Sequence, residues 1–171
     1  GQHTVSVCFG IICATEIVTV TPGAPITLVA IGSAAEITAD DTMSVTAYVV
    51  DQFGNTVPNQ AITYTPSNGS MDLAQPNLFL PHATGPQTIA VEWNGQTVSV
   101  SVVVTTGVAA YFTLEGCSGT NPAGVWCSIT HTLYDQFDNE IQDVSQAGSL
   151  TWTVENGNYS TVNSEYFPDH V

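Results

Sequence analysis

The sequence predicts an all-β chain: two β-sandwiches of about seven strands each, in tandem and cut at a displaced point. Three observations lead there. Short alternating apolar and polar segments are broken throughout by Gly, Pro, Asn and Asp, with no stretch of helical period. The chain repeats itself, first at an offset of 84 and then of 88. With 171 residues, 43% hydrophobic and 9% aromatic, it has the composition of one or two packed domains rather than of a disordered segment.

The opening segment, GQHTVSVCFGIICATEIVTVTPG, is two strand-like runs around a tight turn. Its residues 1–7 match 85–91, and Thr21-Pro22-Gly23 matches Thr105-Thr106-Gly107, both 84 apart. Strands are then expected at 26–31, 43–50, 60–65, 70–73, 77–80, 87–93 and 96–105. In the last two, Ile89, Val91 and Trp93 point one way and Thr88, Ala90 and Glu92 the other. Asn94-Gly95 then turns the chain into Val98, Val100, Val102 and Val104, a hairpin with one buried face. Seven short strands in about 84 residues predict an immunoglobulin-like sandwich. Tyr64 on its third strand is matched by Trp152 in the second repeat, and both are read as core aromatics rather than sugar-stacking platforms.

DQFGN at 51–55 returns as DQFDN at 135–139, again 84 apart. Beyond it, 62–65 matches 150–153, Asn68 matches Asn156, and Phe79 and His82 match Phe167 and His170, now at 88, so a four-residue insertion lies near EIQDVSQAG. The domains expected are 1–22, the last two strands of an immunoglobulin-like domain completing the second-type domain of a preceding unit; 23–106, a complete domain; and 107–171, a second domain lacking its last two strands. The two offsets together come to 172, against 171 residues present. Identical units are then joined head to tail, as a covalent tandem array or by separate subunits lending two strands. The array is favoured, because Val171 and Gly1 would join with no spare linker. Consecutive domains strung end to end make a rod advancing roughly 35 to 45 Å per domain. The linkers TPGAP and TTGVAA are short, which favours restricted bending, and neither holds Asp or Glu for a calcium-stiffened junction.

The stretch MSVTAYVVDQFGNTVPNQAITYT, 43–65, resembles the second strand, turn and third strand of the bacterial immunoglobulin-like (Big) repeats of invasin- and intimin-type adhesins and other prokaryotic surface proteins. The likeness is close over this stretch and one of pattern elsewhere. The second copy, CSITHTLYDQFDNEIQDV, departs from it by the insertion and by Asp138 in place of the glycine, at a turn where Asp accepts a left-handed backbone less readily. The resemblance implies an extended surface stalk or adhesin, with no catalytic residues.

Lysine and arginine are absent while Asp and Glu number 15, giving a formal charge of −15 and a pI near 4.1. Nucleic acid and anionic membranes are excluded as partners, since both are held chiefly through Lys and Arg. The charge reads as solubility and mutual repulsion in a salty or crowded extracellular setting, and it denies trypsin-like proteases a cleavage site. Lys-Asn isopeptide staples are excluded as well. No apolar run approaches the roughly 20 residues that cross a bilayer, so no direct membrane insertion is expected here, and any export signal or anchor is expected outside this window.

Cys8 and Cys13 flank the turn of one hairpin, whereas Cys117 and Cys127 flank the connection between the first two strands of the second domain. These places fall at opposite ends of a sandwich, and a disulfide needs Cα atoms within about 7 Å, so Cys8–Cys13 and Cys117–Cys127 are the pairs expected. They imply an oxidising, extracellular compartment, and they cannot converge on zinc. Asn68-Gly69-Ser70 and Asn158-Tyr159-Ser160 are glycosylation sequons at nearly equivalent places in the two repeats. Asp135, Asp138, Asn139, Glu140 and Asp143 form the densest acidic cluster, with Asp40, Asp41 and Asp51 a thinner one; such residues either cap turns or hold Ca²⁺, the only cofactor the chain suggests. His170 would stand four residues from His3 of a following unit, but His82 aligns with Gln87 in that role, so no metal site is read there. No nucleophile beside a base, phosphate loop or Schiff-base lysine is found, so no enzyme is expected. The expectation is a secreted cell-surface repeat unit of a filament, stalk or large adhesin. The alternative is a module whose loop aromatics Trp126, Tyr159, Tyr166 or Tyr111 contact a cell-surface glycan or protein.

Overall fold

The computed structural model describes residues 1–117, 119, 122–142, 151 and 153, with the backbone of 157–160 and 165–168. The chain is all-β, with immunoglobulin-like sheets. It opens on β1 (Gln2–Phe9) and β2 (Ile12–Thr19), an antiparallel hairpin that forms a sheet of its own. Every side chain along both strands is exposed.

The next nine strands make one sandwich. They are β3 (Thr27–Gly32), β4 (Glu36–Thr38), β5 (Met43–Val50), β6 (Thr56–Val57), β7 (Thr63–Pro66), β8 (Ser70–Met71), β9 (Leu78–Leu80), β10 (Gly85–Trp93) and β11 (Gln96–Thr105). One sheet runs β3-β5-β9-β8 with β6 added to β5, and the other runs β4-β11-β10-β7. After β3 the chain changes sheets, and β4 pairs parallel with the end of β11, Ile37 against Val104. Between the sheets lie Leu28, Met43, Val45, Val49 and Phe79 from the first, and Ile89, Val91, Trp93, Val100, Val102 and Val104 from the second. These are the period-2 positions of each strand, so alternation puts one complete face of the β10–β11 hairpin into the core.

Short strands β4 and β6 were not among those expected, and β7 begins at Thr63 rather than at residue 60. Tyr64 packs half-buried against the core. The deeper aromatic is Trp93, whose indole N–H donates to Gln60 Oε1 at 3.1 Å, so its polar edge is satisfied as its ring is buried. Trp152 lies outside the described residues.

In the second repeat, β12 (Ala109–Gly116), β13 (Cys127–Asp135), β14 (Glu140–Ile141), β15 (Gly157–Ser160) and β16 (Glu165–Pro168) form a sheet of order β12-β13-β16-β15 with β14 on β13. That is the order of β3-β5-β9-β8 with β6 on β5, so each strand takes the place of its partner in the sequence repeat. The inner faces differ in cover. Leu28 on β3 is 4% exposed, whereas Phe112 and Leu114, on the corresponding face of β12, are 53% and 54% exposed.

Candidate functional site

The most elaborate polar construction among the described residues is built by the repeated five-residue turns, where each sandwich meets the linker leading into it. Asp51 closes β5 and is buried. Its Oδ1 accepts the N–H groups of Phe53 and Asn55, both at 2.9 Å, and the Asn55 amide donates to both carboxylate oxygens at 3.0 and 3.2 Å. Its Oδ2 reaches across 28 residues to the N–H of Gly23 in the linker, at 2.7 Å. These donors favour the ionised form, so the carboxyl is held well below the usual carboxylate range, first by the Asn55 side chain and then by the Gly23 amide.

Asp135 repeats the arrangement. Oδ1 accepts from Phe137 and Asn139 backbone N–H at 2.9 and 3.0 Å, the Asn139 amide donates to both oxygens, and Oδ2 accepts from Gly107 N–H at 2.9 Å. Burial pushes this carboxyl up, but the Gly107 and Asn139 donors outweigh it and the net shift is downward. Asp138 takes the left-handed backbone, φ 64°, that Gly54 takes at 80°, and both turns close with the same pair of backbone hydrogen bonds. The substitution therefore leaves the turn geometry intact. Asp138 also accepts the Tyr111 hydroxyl at 2.6 Å, which pushes that phenol up to about 12.

The second turn does more than clasp its own linker. Its Asn139 amide donates to His82 O at 2.9 Å and its Oδ1 accepts from Thr84 N–H at 3.2 Å. Phe137 packs on the His82 ring with centroids 5.1 Å apart, and Gln136 donates to Asp40 Oδ1 at 2.7 Å. Asp40 Oδ2 accepts from Val108 N–H in the linker. A Cβ at position 107 would collide with the Asp40 carboxylate, so glycine is what permits the linker to run this close. Together these contacts bind the second turn and linker to the loops of the first sandwich at 40 and 82–84. The equivalent ring in the first turn, Phe53, is 77% exposed, against 37% for Phe137.

The other candidate residues separate. Cys8 bonds to Cys13, directly opposite it in the β1–β2 register with Cα atoms 4.0 Å apart, and Cys117 bonds to Cys127 at 5.5 Å. Of the acidic cluster, Asp135 and Asn139 are turned inward on the turn's own amides and Asp138 receives Tyr111. Glu140 lies exposed on β14, and Asp143 is outside the described residues. Among the described residues, no group of three or more His, Cys, Asp or Glu converges on a metal position. Asp41 receives the Thr38 hydroxyl at 3.0 Å and caps its own turn. Asn68 is exposed, with its side-chain oxygen receiving Gly69 N–H at 2.6 Å. The side chains of Asn158, Tyr159 and Tyr166, and all of His170, lie outside the described residues. His3 sits on β1 and Trp126 is exposed. Tyr111 stacks on Tyr134 at 5.2 Å, so its ring and hydroxyl are both engaged within the chain.

Sequence motifs had drawn attention to DQFGN and DQFDN, but not to their reach. Asp51 and Gly23 are 28 residues apart and Asn139 and His82 are 57 apart, and only the repeated Gly in each linker, at the same offset as the turn, signalled a partner.

No protein-family model matches the chain, and no curated protein matches it. Solved structures do. One is FdeC, described as a broadly conserved Escherichia coli adhesin, with a TM-score of 0.55, 17% identity and 97% of this chain covered. This chain spans 63% of that structure. Others are the Yersinia pseudotuberculosis adhesin InvE, at a TM-score of 0.47, 19% identity, 64% of this chain and 34% of that one, and domains 4–9 of the surface layer protein SbsC, at 0.41, 19%, 97% and 30%. The chain thus shares the fold of an adhesin's immunoglobulin-like domains.

Proposed function

We propose that this chain is a structural repeat unit of an extracellular filament, stalk or large adhesin, joined head to tail to identical units. Its work is reach, stiffness and durability rather than chemistry. The observation that supports this most is the clasped joint. A carboxylate on the turn holds the incoming linker at both repeats, and the second turn is bonded to the preceding sandwich through the side chains of Gln136 and Asn139 and packed on it through the Phe137 ring. Such a joint resists bending by local hydrogen bonds. Two disulfides, an acidic surface lacking Lys and Arg, and a fold shared with an adhesin agree with an oxidising surface setting. On this reading the sequons at Asn68 and Asn158 carry glycans on a protease-resistant stalk.

Immunogold labelling of intact producing cells with an antibody raised against the folded chain tests the reading. Label along extended material at the cell surface is expected. Label confined to the interior of permeabilised cells would refute it.

A further inference from the structure

The first sandwich contains a finished copy of a contact that two other parts of the chain leave open. There the β10–β11 hairpin lies across β3 and β5. Gln96 Oε1 accepts from Leu28 N–H at 3.1 Å, and a Val100 methyl stands 2.9 Å from where a Cβ on Gly32 would be. Val98, midway between them on β11, therefore lies over the Ala30–Ala47 pair of β3 and β5. Hairpin β1–β2 is the sequence copy of β10–β11, and β12–β13 is the copy of β3–β5, both at the first repeat offset.

Carried over at that offset, the substitutions compensate. The Ala30–Ala47 pair becomes Leu114–His131, still in register, and the residue that would cover it shrinks from Val98 to Ala14. Val7, which replaces the fully buried Val91, is 71% exposed on the hairpin, and Leu114 is 54% exposed on the sheet. A hairpin with Ala at the centre suits a sheet with Leu and His there and underfills one with two alanines.

We propose that the Val5, Val7 and Phe9 face of β1–β2 docks on the Phe112 and Leu114 face of β12–β13 in a second copy of this chain, completing the second copy's sandwich. This deepens, and rests on, the head-to-tail reading above. The occupant is a second copy because of where the linkers lead. Strand β11 leaves its sandwich into the linker clasped by Asp135, so β2 must leave its sandwich into the homologous linker clasped by Asp51. The sandwich that β2 completes then lies at the Asp51 end of β5. The chain's own β12–β13 is held at the Asp40 end, one eight-residue strand or about 26 Å away.

Two variants of this chain test this, V7D in the hairpin and L114D on the sheet, with light scattering across a concentration series. The unsubstituted chain is expected to gain mass with concentration in multiples of 18.0 kDa. A charge buried without a partner should raise the midpoint concentration at least about hundredfold, leaving each variant a monomer. Mixed in equal amounts they should form a dimer and stop, because only the L114D hairpin and the V7D sheet are intact. Retention of the tryptophan fluorescence and circular dichroism of the parent shows that the variants are folded. Where L114D is not, Leu114→Ser and Val7→Ser replace the pair, with the same dimer expected. A monomeric parent, a single variant that assembles like the parent, or a mixture that stays monomeric would overturn the proposal. None of these outcomes bears on surface labelling, which judges the broader reading separately.

Discussion

Val91 and Val7 occupy the same place in two copies of one hairpin, and truncating each to alanine separates packing from sequence. Val91 is fully buried between the sheets, opposite Val98 on β11 and Tyr64 on β7. Removing two methyl groups there forfeits about 1.6 kcal/mol of transfer free energy, and the cavity left behind brings the loss to about 2–3 kcal/mol. For a sandwich of this size that lowers the melting temperature by about 10–20 °C. Val7 is mostly exposed, so Val7→Ala should leave the melting of dilute chain unmoved. Once a second copy covers the hairpin, the same truncation should weaken association about 30- to 150-fold, the same 2–3 kcal/mol expressed as a midpoint concentration. Calorimetry of both variants at low and high concentration reads all of this. Equal melting shifts for the two variants at low concentration would refute the reasoning, since they would place Val7 in a packed core within the single chain.

Reduction should spare one part of the molecule. The first sandwich has no cysteine, so dithiothreitol should leave its melting transition in place, while the hairpin and second sheet lose about 2 and about 3 kcal/mol of chain-entropy stabilisation respectively; a shift in the first transition would contradict this. Acid should act through the clasps. A carboxyl held below its ordinary value of 3.8 in the folded chain stabilises fully above that value, and loses its contribution as pH falls below it toward the lowered one. Asp51→Asn should therefore lower the urea midpoint at pH 7 and converge on the parent as pH drops below 3.8, and a gap that stayed constant with pH would show that the charge is not what the clasp uses.

Legibility in the sequence followed the range of the interaction. The β10–β11 hairpin was readable because Asn94-Gly95 and strict alternation are local signals, and the face they mark is the one that is buried. Strands β4 and β6, of three and two residues, carry no period of their own and exist because β11 and β5 offer them partners. The paired cysteines were readable because each pair flanks a single connection, at opposite ends of a sandwich and so beyond the reach of the other pair. What Asp51, Asp135 and Asn139 do was not, since a lone acidic turn looks alike whether it binds a cation, caps itself or clasps a linker far away in the chain. The Asp138 substitution looked disruptive by propensity, yet the left-handed conformation is held by the hydrogen bonds around it and by Tyr111.

Light scattering of the unsubstituted chain, diluted from high to low concentration in non-reducing buffer, addresses the completion of each second sandwich by another copy more directly than any variant. An average mass that climbs above 18.0 kDa with concentration and falls back toward it on dilution is expected. A constant 18.0 kDa at every concentration would contradict it.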